Sequence, residues 1–312
     1  MHFLRKNLMR RVNDMGGVIQ ISILARISGN VNADEVIGQR ITIKKMYSNT
    51  GEVLPFVSAR AIKRAIRDAL RERGHKIDEF RRGAGGELEL ADTGDPENLV
   101  DNDLFGYMVT EKVDRKGKSY SRQGPIAMSY FKALRDTPVK AEFGGRFPRE
   151  NVKGANPVPF EVEVADFIGR LNVIIYDYIG KSSGSSEKKE DWEVSNEIKE
   201  KRLKDFLEVL LLPAYVLPRR TNSLNIPEYI GALITFSKKG PLPIYQYNEY
   251  DFEENVISIE ALNRLRELKE RFGDDVKFYY ISYSGSIELP DFIEPVSVSQ
   301  AIEKLIKLYF MK

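Results

Sequence analysis

The side chains best suited to binding chemistry in this sequence lie in the stretch "SARAIKRAIRDALRERG", residues 58–74. Four cations share one face at helical spacing: Arg60, Lys63, Arg64 and Arg67. An apolar stripe runs beside them: Ala61, Ile62, Ala65, Ile66, Ala69 and Leu70. Ser58 is a predicted N-cap. Helix N-termini and long cationic side chains suit phosphate groups, so we predict that the start of this helix binds a sugar-phosphate backbone. The alternative is a solvated face, which is our interpretation of Arg71 and Arg73.

Other basic residues extend the predicted site. Arg26 ends the first predicted strand, and Lys44 and Lys45 lie in the polar segment after it. A later basic segment adds four residues: Arg219, Arg220, Asn222 and Ser223. Contacts to phosphate carry no sequence information, so this set predicts a sequence-tolerant grip on RNA. Three aromatic residues of a Pro- and Gly-rich arm, residues 138–164, offer base stacking: Phe143, Phe147 and Phe160.

The chain lacks the residues that most catalytic chemistries need. The chain has no cysteine and only two histidines, His2 and His75, which removes thiolate sites and a histidine metal cluster. We interpret His75 as a cation near the carbonyls of a helix end. Four acidic residues lack the spacing of a calcium loop and are interpreted as a solvated loop: Asp92, Asp95, Asp101 and Asp103. No catalytic residue, metal or cofactor is predicted.

The charge is unevenly distributed along the chain. Residues 1–150 hold 27 Lys/Arg and 20 Asp/Glu, whereas residues 151–312 hold 21 and 26. A clustered basic excess favours a polyanionic partner. No apolar run is long enough to span a bilayer, and the first residues lack the features of a signal peptide, so we expect a cytoplasmic protein with no membrane partner. A cysteine-free, charge-rich composition also fits a thermophile.

The positioning elements are predicted from periodicity. Strands are expected at 16–29, 125–137, 165–179 and 229–237, and helices at 58–74 and 194–212, the second ended by Pro213. The arm 138–164 is expected to be a long hairpin, and 180–191 a flexible loop. A helix near 258–272, a strand at 276–284 and a helix at 297–310 follow. The order of the core elements, strand-helix-strand-strand-helix-strand, predicts an α+β fold of ferredoxin-like or RNA-recognition-motif (RRM) topology.

Four stretches carry a resemblance to a known family: the first strand running into "ARISGNVNADE", and then "LPFVSARAIKRAIRDAL", "DNDLFGYM" and "RRTNSL". In order and spacing they are similar to the Cas-seven (DevR-type) crRNA-binding backbone subunit of type I CRISPR Cascade complexes, in particular archaeal subtype I-A. The resemblance implies a single domain with a modified RRM palm, built from about 14–50, 120–137, 165–180 and 194–312. Helical fingers at 52–119 and a β-hairpin thumb at 138–164 complete it.

The resemblance also implies a function. Copies of such a subunit form a helical filament along one CRISPR guide RNA and present the guide for pairing with target DNA in antiviral defence. The partners are further copies, a Cas-five-type subunit, and large and small subunits. By motif position, guide contact falls on one helical set: Ser58, Arg60, Lys63, Arg64 and Arg67. Asn222 and Ser223 follow. Lys44 and Lys45 join them from charge and placement.

Two enzymatic alternatives remain beside the non-catalytic scaffold. Related backbone subunits of type III complexes cut bound target RNA with an acidic residue after the first strand, and Asp34 occupies a similar place here. With a divalent metal it would assist hydrolysis. The other alternative is an endoribonuclease that processes CRISPR RNA. Its Gly-rich C-terminal loop is poorly matched by "FYYISYSGSIELP".

Overall fold

The computed structural model describes residues 16–30, 33–79, 81–82, 88–89, 92–113, 116–147, 156–184, 186–217 and 225–310. The strands follow in chain order: β1 (Val18–Gly29), β2 (Ala33–Ile37), β3 (Arg40–Ile43), β4 (Lys45–Tyr47), β5 (Val53–Val57), β6 (Arg81–Arg82), β7 (Leu88–Glu89), β8 (Gly106–Val113), β9 (Lys116–Gln123), β10 (Ile126–Met128), β11 (Phe131–Ala133), β12 (Lys140–Arg146), β13 (Val158–Ile175), β14 (Glu228–Ser237), β15 (Tyr250–Asp251), β16 (Val256–Ile257), β17 (Val276–Ser282) and β18 (Ile293–Pro295). The helices are α1 (Ala59–Glu72), α2 (Val100–Phe105), α3 (Asn196–Leu211), α4 (Ile259–Asn263), α5 (Arg266–Phe272) and α6 (Val298–Phe310).

A large mixed sheet dominates the fold, which confirms the predicted α+β class. Its main path runs β18-β17-β14-β1-β13-β11-β5-β4, and β10, β12 and β3 also pair with β13. The sequence of β1, "VIQISILARISG", alternates, and its odd-numbered side chains from Ile19 to Ile27 enter one core with α1, α3 and α6. Leu24 on the opposite face enters a second core with Leu233 and Tyr280. Both faces of β1 are therefore covered along most of its length.

Both predicted amphipathic helices of the central region are confirmed. In α1, the Ser58 hydroxyl accepts a hydrogen bond from the Ala61 N–H, as an N-cap does, and the apolar stripe is buried from Ile62 to Leu70. Ser195 caps α3 in the same way, and the helix ends before Pro213. Local signals set these boundaries, which explains why the sequence predicts them well.

The arm and the strands around it differ from the prediction. β12 pairs with the start of β13 from Lys140–Val164 to Arg146–Val158, as expected of a hairpin. However, β13 continues unbroken for 18 residues into the main sheet, so the returning arm and the strand predicted at 165–179 are one strand. The strand predicted at 125–137 is divided into β10 and β11, because Ser129 leaves the ladder and exchanges hydrogen bonds with Asn172.

Three further expectations are corrected. The segment 180–191 is not a free loop, because Glu187 within it is buried and accepts a hydrogen bond from the buried Trp192 that follows it. The helix predicted at 258–272 is divided into α4 and α5. The region 52–119, predicted as helical fingers, contains β5 to β8 and the start of β9 beside α1 and α2.

Candidate nucleic-acid interface

Sequence-distant segments meet where β1 ends. The Asn30 side chain donates to the Glu163 carbonyl of β13 (2.7 Å), and the Asn225 side chain donates to the Asn30 carbonyl (3.2 Å). Lys45 of β4 reaches the same strand β13 through a 2.9 Å ion pair with Glu163. The end of β1 is thus joined to β13, to β4 and to the segment that begins at Asn225.

The start of α1 adjoins this junction. The Phe56 N–H donates to the Lys44 carbonyl (3.0 Å), which brings Lys44 beside the strand that leads into Ser58. The Ser58 hydroxyl accepts the capping hydrogen bond from the Ala61 N–H. Arg60 in the first turn is exposed and forms no ion pair with any other described residue. Of the predicted cations, Arg60 is the one that the described contacts leave most accessible to an anion.

The predicted cations near the end of β1 have carboxylate partners. Arg26 binds both oxygens of Asp166, at 2.9 and 2.5 Å, and these hydrogen bonds, with one from Ser28, lower the pKa of the Asp166 carboxyl. Lys44 pairs with Asp34 at 2.6 Å, and Lys45 with Glu163. A phosphate at this surface would compete with these carboxylates for the cations.

The cationic face of α1 is divided in two. Arg64 is exposed and pairs with Asp68 (3.1 Å) one turn later. Lys63 and Arg67 are instead half-buried against α2, each 5.3 Å from the Phe105 ring centre. Arg67 also donates to the buried Asp101 carboxylate (3.1 Å). Burial, with the nearby charge of Arg67, lowers the pKa of Lys63 to about 8. Lys63 and Arg67 are therefore less accessible than Arg60 and Arg64, and their contact with RNA stays a prediction.

The stretch "DNDLFG", residues 101–106, is a structural centre, which corrects its interpretation as a solvated acidic loop. Asp103 is fully buried and accepts hydrogen bonds from Arg122 and Arg202, both at 2.7 Å, and from the Gly180 N–H. Gly106 has a φ of +79°, and a Cβ there would lie 2.2 Å from the Arg122 carbonyl oxygen. Asp101 and Asp103 therefore bind arginines of the same chain.

His75 is also better described as a structural contact. Its Nε2 lies 2.6 Å from an Asp205 carboxylate oxygen, so the side chain joins the end of α1 to α3. The interpretation of His75 as a cation on helix-end carbonyls is not what the side chain shows.

Four predicted site residues lie outside the described residues: Arg219, Arg220, Asn222 and Ser223. The residues flanking them are described. The Leu217 N–H donates to the Asn225 carbonyl (2.8 Å), and Asn225 in turn contacts Asn30. Both anchors of the segment 218–224 therefore lie at the end of β1.

Sequence reasoning missed an aromatic surface next to β11. Tyr130 is 49% exposed and stacks on Phe56, with ring centres 4.9 Å apart. Lys132 is exposed and lies opposite Phe56 in the ladder. The alternation of Tyr130, Phe131 and Lys132 was the available signal. On the hairpin, Phe143 and Phe147 are 74% and 78% exposed, as a stacking role requires, whereas Phe160 is half-buried over Gly144.

None of the helices in the described part of the chain has the length and apolarity needed to cross a bilayer.

Comparison with known proteins gives a family and a fold. The family model for the CRISPR-associated negative auto-regulator DevR/Csa2 matches residues 89–255. No curated relative matches the sequence.

Two similar solved chains come from structures described as "CRISPR RNA-guided surveillance complex" and "CRISPR RNA-guided surveillance complex, pre-nicking". They are 16% and 15% identical to this chain, and each has a TM-score of 0.61. Each comparison covers 94% of this chain and 100% of the solved chain. The shared fold therefore extends well beyond the region that the family model matches.

Proposed function

Because the chain belongs to the DevR/Csa2 family of CRISPR-associated proteins, we propose that it is a backbone subunit of a Cascade complex that binds guide RNA without cutting it. The likeness in fold to chains of RNA-guided surveillance complexes, which covers 94% of this chain and 100% of each solved chain, supports this proposal. Further copies, a Cas-five-type subunit, and large and small subunits are the proposed protein partners, and target DNA is reached through the guide.

The arrangement of the central elements supports an RRM-like palm. The strands β14, β1 and β13 are neighbours in that order, with β10 and β11 on the other edge of β13. Helix α1 lies between β1 and β10 in the chain, α3 lies between β13 and β14, and both pack on the same face of β1. The hairpin of β12 and the start of β13 is the proposed thumb, with Phe143 and Phe147 as its candidates for base stacking.

The observation that carries the RNA proposal is the convergence at the end of β1. Arg26, Lys44 and Lys45, and the capped start of α1 with Arg60, come together there, and so do both anchors of the segment 218–224. These segments are distant in sequence and basic in character. The fold thereby brings together five of the twelve predicted RNA-binding residues, namely Arg26, Lys44, Lys45, Ser58 and Arg60, whereas Lys63 and Arg67 also contact Phe105.

RNA binding is tested by fluorescence anisotropy with single-stranded RNAs of unrelated sequence over a series of salt concentrations. We expect the variant Lys44→Ala/Arg60→Ala to bind each RNA about ten-fold more weakly, and its slope of log K against log salt to fall by about 0.7 for each phosphate that is no longer neutralised. The matched control is Arg264→Ala/Arg266→Ala, which removes two exposed cations from α4–α5. Equal affinity and slope in both variants would reject the interface.

Assembly and chemistry need separate measurements. Native mass spectrometry with RNAs of increasing length should show the number of bound copies rising in steps, as a filament on a guide requires. The nuclease alternative is tested with complementary RNA and divalent metal. Regular cuts that disappear in Asp34→Ala would favour the enzyme. Asp34 pairs with Lys44 in the structure, so Lys44→Ala, assayed at RNA concentrations that saturate its weaker binding, serves as a control that lacks the ion pair but keeps the carboxylate.

A further inference from the structure

One face of the large sheet is covered over only part of its width. Leu24 of β1 points to this face and enters the second core, which the segment after β14 covers. The cover ends at β13, where Arg170 donates to the Asn248 carbonyl (3.1 Å). On the next strand, β11, Tyr130 and Lys132 are exposed. Among the described residues, this face of the sheet is therefore open at β11.

A row of side chains crosses the open part of this face. Arg170 of β13 lies opposite Lys132 of β11, and Lys132 lies opposite Phe56 of β5. The register of β5 with β4 places Lys44 opposite Phe56, and the Phe56 N–H donates to the Lys44 carbonyl. Directly opposite residues of a sheet share a face. Lys44, Lys132 and Arg170 thus present three cations to one surface, with the ring of Phe56 between them.

Tyr130 is held beside this row as a flat platform. It precedes Phe131, which is buried in the first core, so the Tyr130 side chain points to the opposite, open face. Its ring stacks on the Phe56 ring with the two planes 18° from parallel, and the residue remains 49% exposed. Phe131 pairs with Val57, which places Tyr130 beside Ser58 at the start of α1. A ring that is already held in place needs little further ordering when a ligand stacks on it.

The cations of the row are only partly neutralised. Lys132 and Arg170 form no ion pair with the other described residues, whereas Lys44 pairs with Asp34 (2.6 Å). Lys132 is the most exposed of the three cations. An anion beside Tyr130 would therefore find an uncompensated charge at Lys132.

An acidic turn borders the row on the side of β13. It follows Asn248 and carries four carboxylates: Glu249, Asp251, Glu253 and Glu254. Arg135 lies over the ring of Phe252, which two of these acids flank in the chain, and we leave Arg135 out of the site for that reason. Asp136 accepts a hydrogen bond from the Val53 N–H (2.7 Å). The acidic turn repels an anionic strand and directs it towards Lys44 and the start of α1.

The row continues the candidate interface at the end of β1. Lys44 belongs to both surfaces, and Tyr130 lies beside Ser58, two residues before Arg60. The backbones at Lys44 and Lys132 are two strand spacings apart, about 10 Å. This distance corresponds to about three nucleotides of a stacked strand, which rises about 3.4 Å per nucleotide. An RNA strand bound at Lys44 and Arg60 can therefore reach Tyr130 and Lys132 without a break.

We propose that Tyr130 is a stacking platform for one base of single-stranded RNA and that Lys132 binds a phosphate beside the stacked base. This inference rests on the proposed function, because it extends the RNA strand from the end of β1 across the open face of the sheet. The strand must be unpaired at this point, since an aromatic ring stacks on a base that is free of its duplex neighbours. The contact tolerates any sequence, because every base has a π-face.

Fluorescence anisotropy with an ordinary RNA and an abasic RNA of equal length tests the stacking. We expect Tyr130→Ala to weaken binding of the ordinary RNA about ten-fold, as loss of one stacked base does, and to leave the slope of log K against log salt unchanged. On the abasic RNA, Tyr130→Ala and the wild type should bind equally. Tyr130→Phe, which keeps the ring, should recover most of the lost affinity. Lys132→Ala should reduce the slope by about 0.7 on both RNAs, because a phosphate contact is lost.

The matched control is Tyr120→Ala. Tyr120 also lies beside a lysine, with the Lys118 Nζ 4.8 Å from its ring centre, but on the separate β8–β9 sheet, so this variant should bind as the wild type does. In the wild type, photo-crosslinking of RNA that carries iodouridine, followed by mass spectrometry, should identify the peptide that contains Tyr130.

Three results would overturn the platform. They are equal affinity of Tyr130→Ala and the wild type for ordinary RNA, an equal loss on abasic RNA or in Tyr120→Ala, and crosslinks only outside β11. Each of them leaves the proposed function standing if Lys44→Ala/Arg60→Ala still weakens binding. Absence of RNA binding by the wild type would instead reject both proposals.

Discussion

Asp103 is a buried residue at which a substitution of almost unchanged volume should strongly lower the free energy of unfolding. The side chain is fully buried and accepts hydrogen bonds from two guanidiniums, Arg122 and Arg202, whose side chains are 0% and 5% exposed. Asp103→Asn keeps the shape and removes the charge. Arg122 retains its 2.8 Å ion pair with Glu187, whereas Arg202 keeps only hydrogen bonds to the carbonyls of Pro96 and Glu97. The variant therefore leaves one buried cation without a counter-charge.

The magnitude follows from that single unpaired cation. Removing one partner of a buried ion pair costs about 3–5 kcal/mol, because the remaining charge stays desolvated. The surviving carbonyl contacts of Arg202 place the expected loss of unfolding free energy near the middle of that range, about 4 kcal/mol. With an unfolding entropy of about 2.1 cal/mol/K per residue, this corresponds to a fall in Tm of about 6 °C for the whole chain.

Urea and thermal unfolding, followed by circular dichroism, measure the change. Asp274→Asn is the matched control, since Asp274 is 95% exposed beside Lys277 and should leave stability unchanged. The double variant Asp103→Asn/Arg202→Met removes the stranded cation and should recover part of the loss, as a double-mutant cycle detects. Wild-type stability in Asp103→Asn, or a double variant weaker than the single one, would refute the reasoning.

Three further predictions concern the same region. Burial lowers the pKa of Lys63 to about 8 from 10.5, so between these pH values the unfolded chain holds more protons and stability rises with pH. Lys63→Met should abolish that rise and stabilise the chain at pH 7 by on the order of 1–2 kcal/mol, measured by urea unfolding at pH 7 and pH 10. Gly106→Ala should destabilise the chain by about 2–4 kcal/mol, against about 1 kcal/mol for Gly51→Ala, where φ is also positive (+85°) but a Cβ meets nothing within 4 Å. Ser58→Ala should cost about 1 kcal/mol through loss of the cap, and Ser58→Asn should retain most of it in the same assay.

The local sequence pattern is enough to predict those strands and helices whose ends are set by neighbouring residues. The alternation of β1 and the capped, amphipathic sequences of α1 and α3 specify strand, helix and buried face from neighbouring residues alone. The course of β13 is not specified in this way. Nothing local distinguishes a strand that leaves the sheet and returns from one that passes straight from the hairpin into the sheet, because its pairing partners β12, β3, β1 and β11 are spread along the chain.

The charge environment of the candidate site could not be derived from the sequence. Arg26 and Asp166 are 140 positions apart, and Lys45 and Glu163 are 118 apart. Counting basic residues by segment cannot detect such pairs, so the sequence overstates the number of cations available to phosphate. The same limit applies to "GKSSGSSEKKED", residues 180–191, whose composition suggests a free loop. Glu187 there pairs with the buried Arg122, and that contact folds the segment onto the body.

The structure also explains why two of the family-like stretches occur together. Along α1, Arg60 and Arg64 lie four residues apart in one row, and Lys63 and Arg67 form the neighbouring row. The second row lies against "DNDLFG", where the Phe105 ring receives both cations and Asp101 accepts from Arg67. The helix motif and the "DNDLFG" motif are thus two halves of one packed unit. Resemblance to a family whose cations bind a guide does not by itself separate the two rows, because both are basic and both belong to the motif. Contact with α2 separates them: it half-buries the row of Lys63 and Arg67 and leaves the row that begins at Arg60 exposed beside the end of β1.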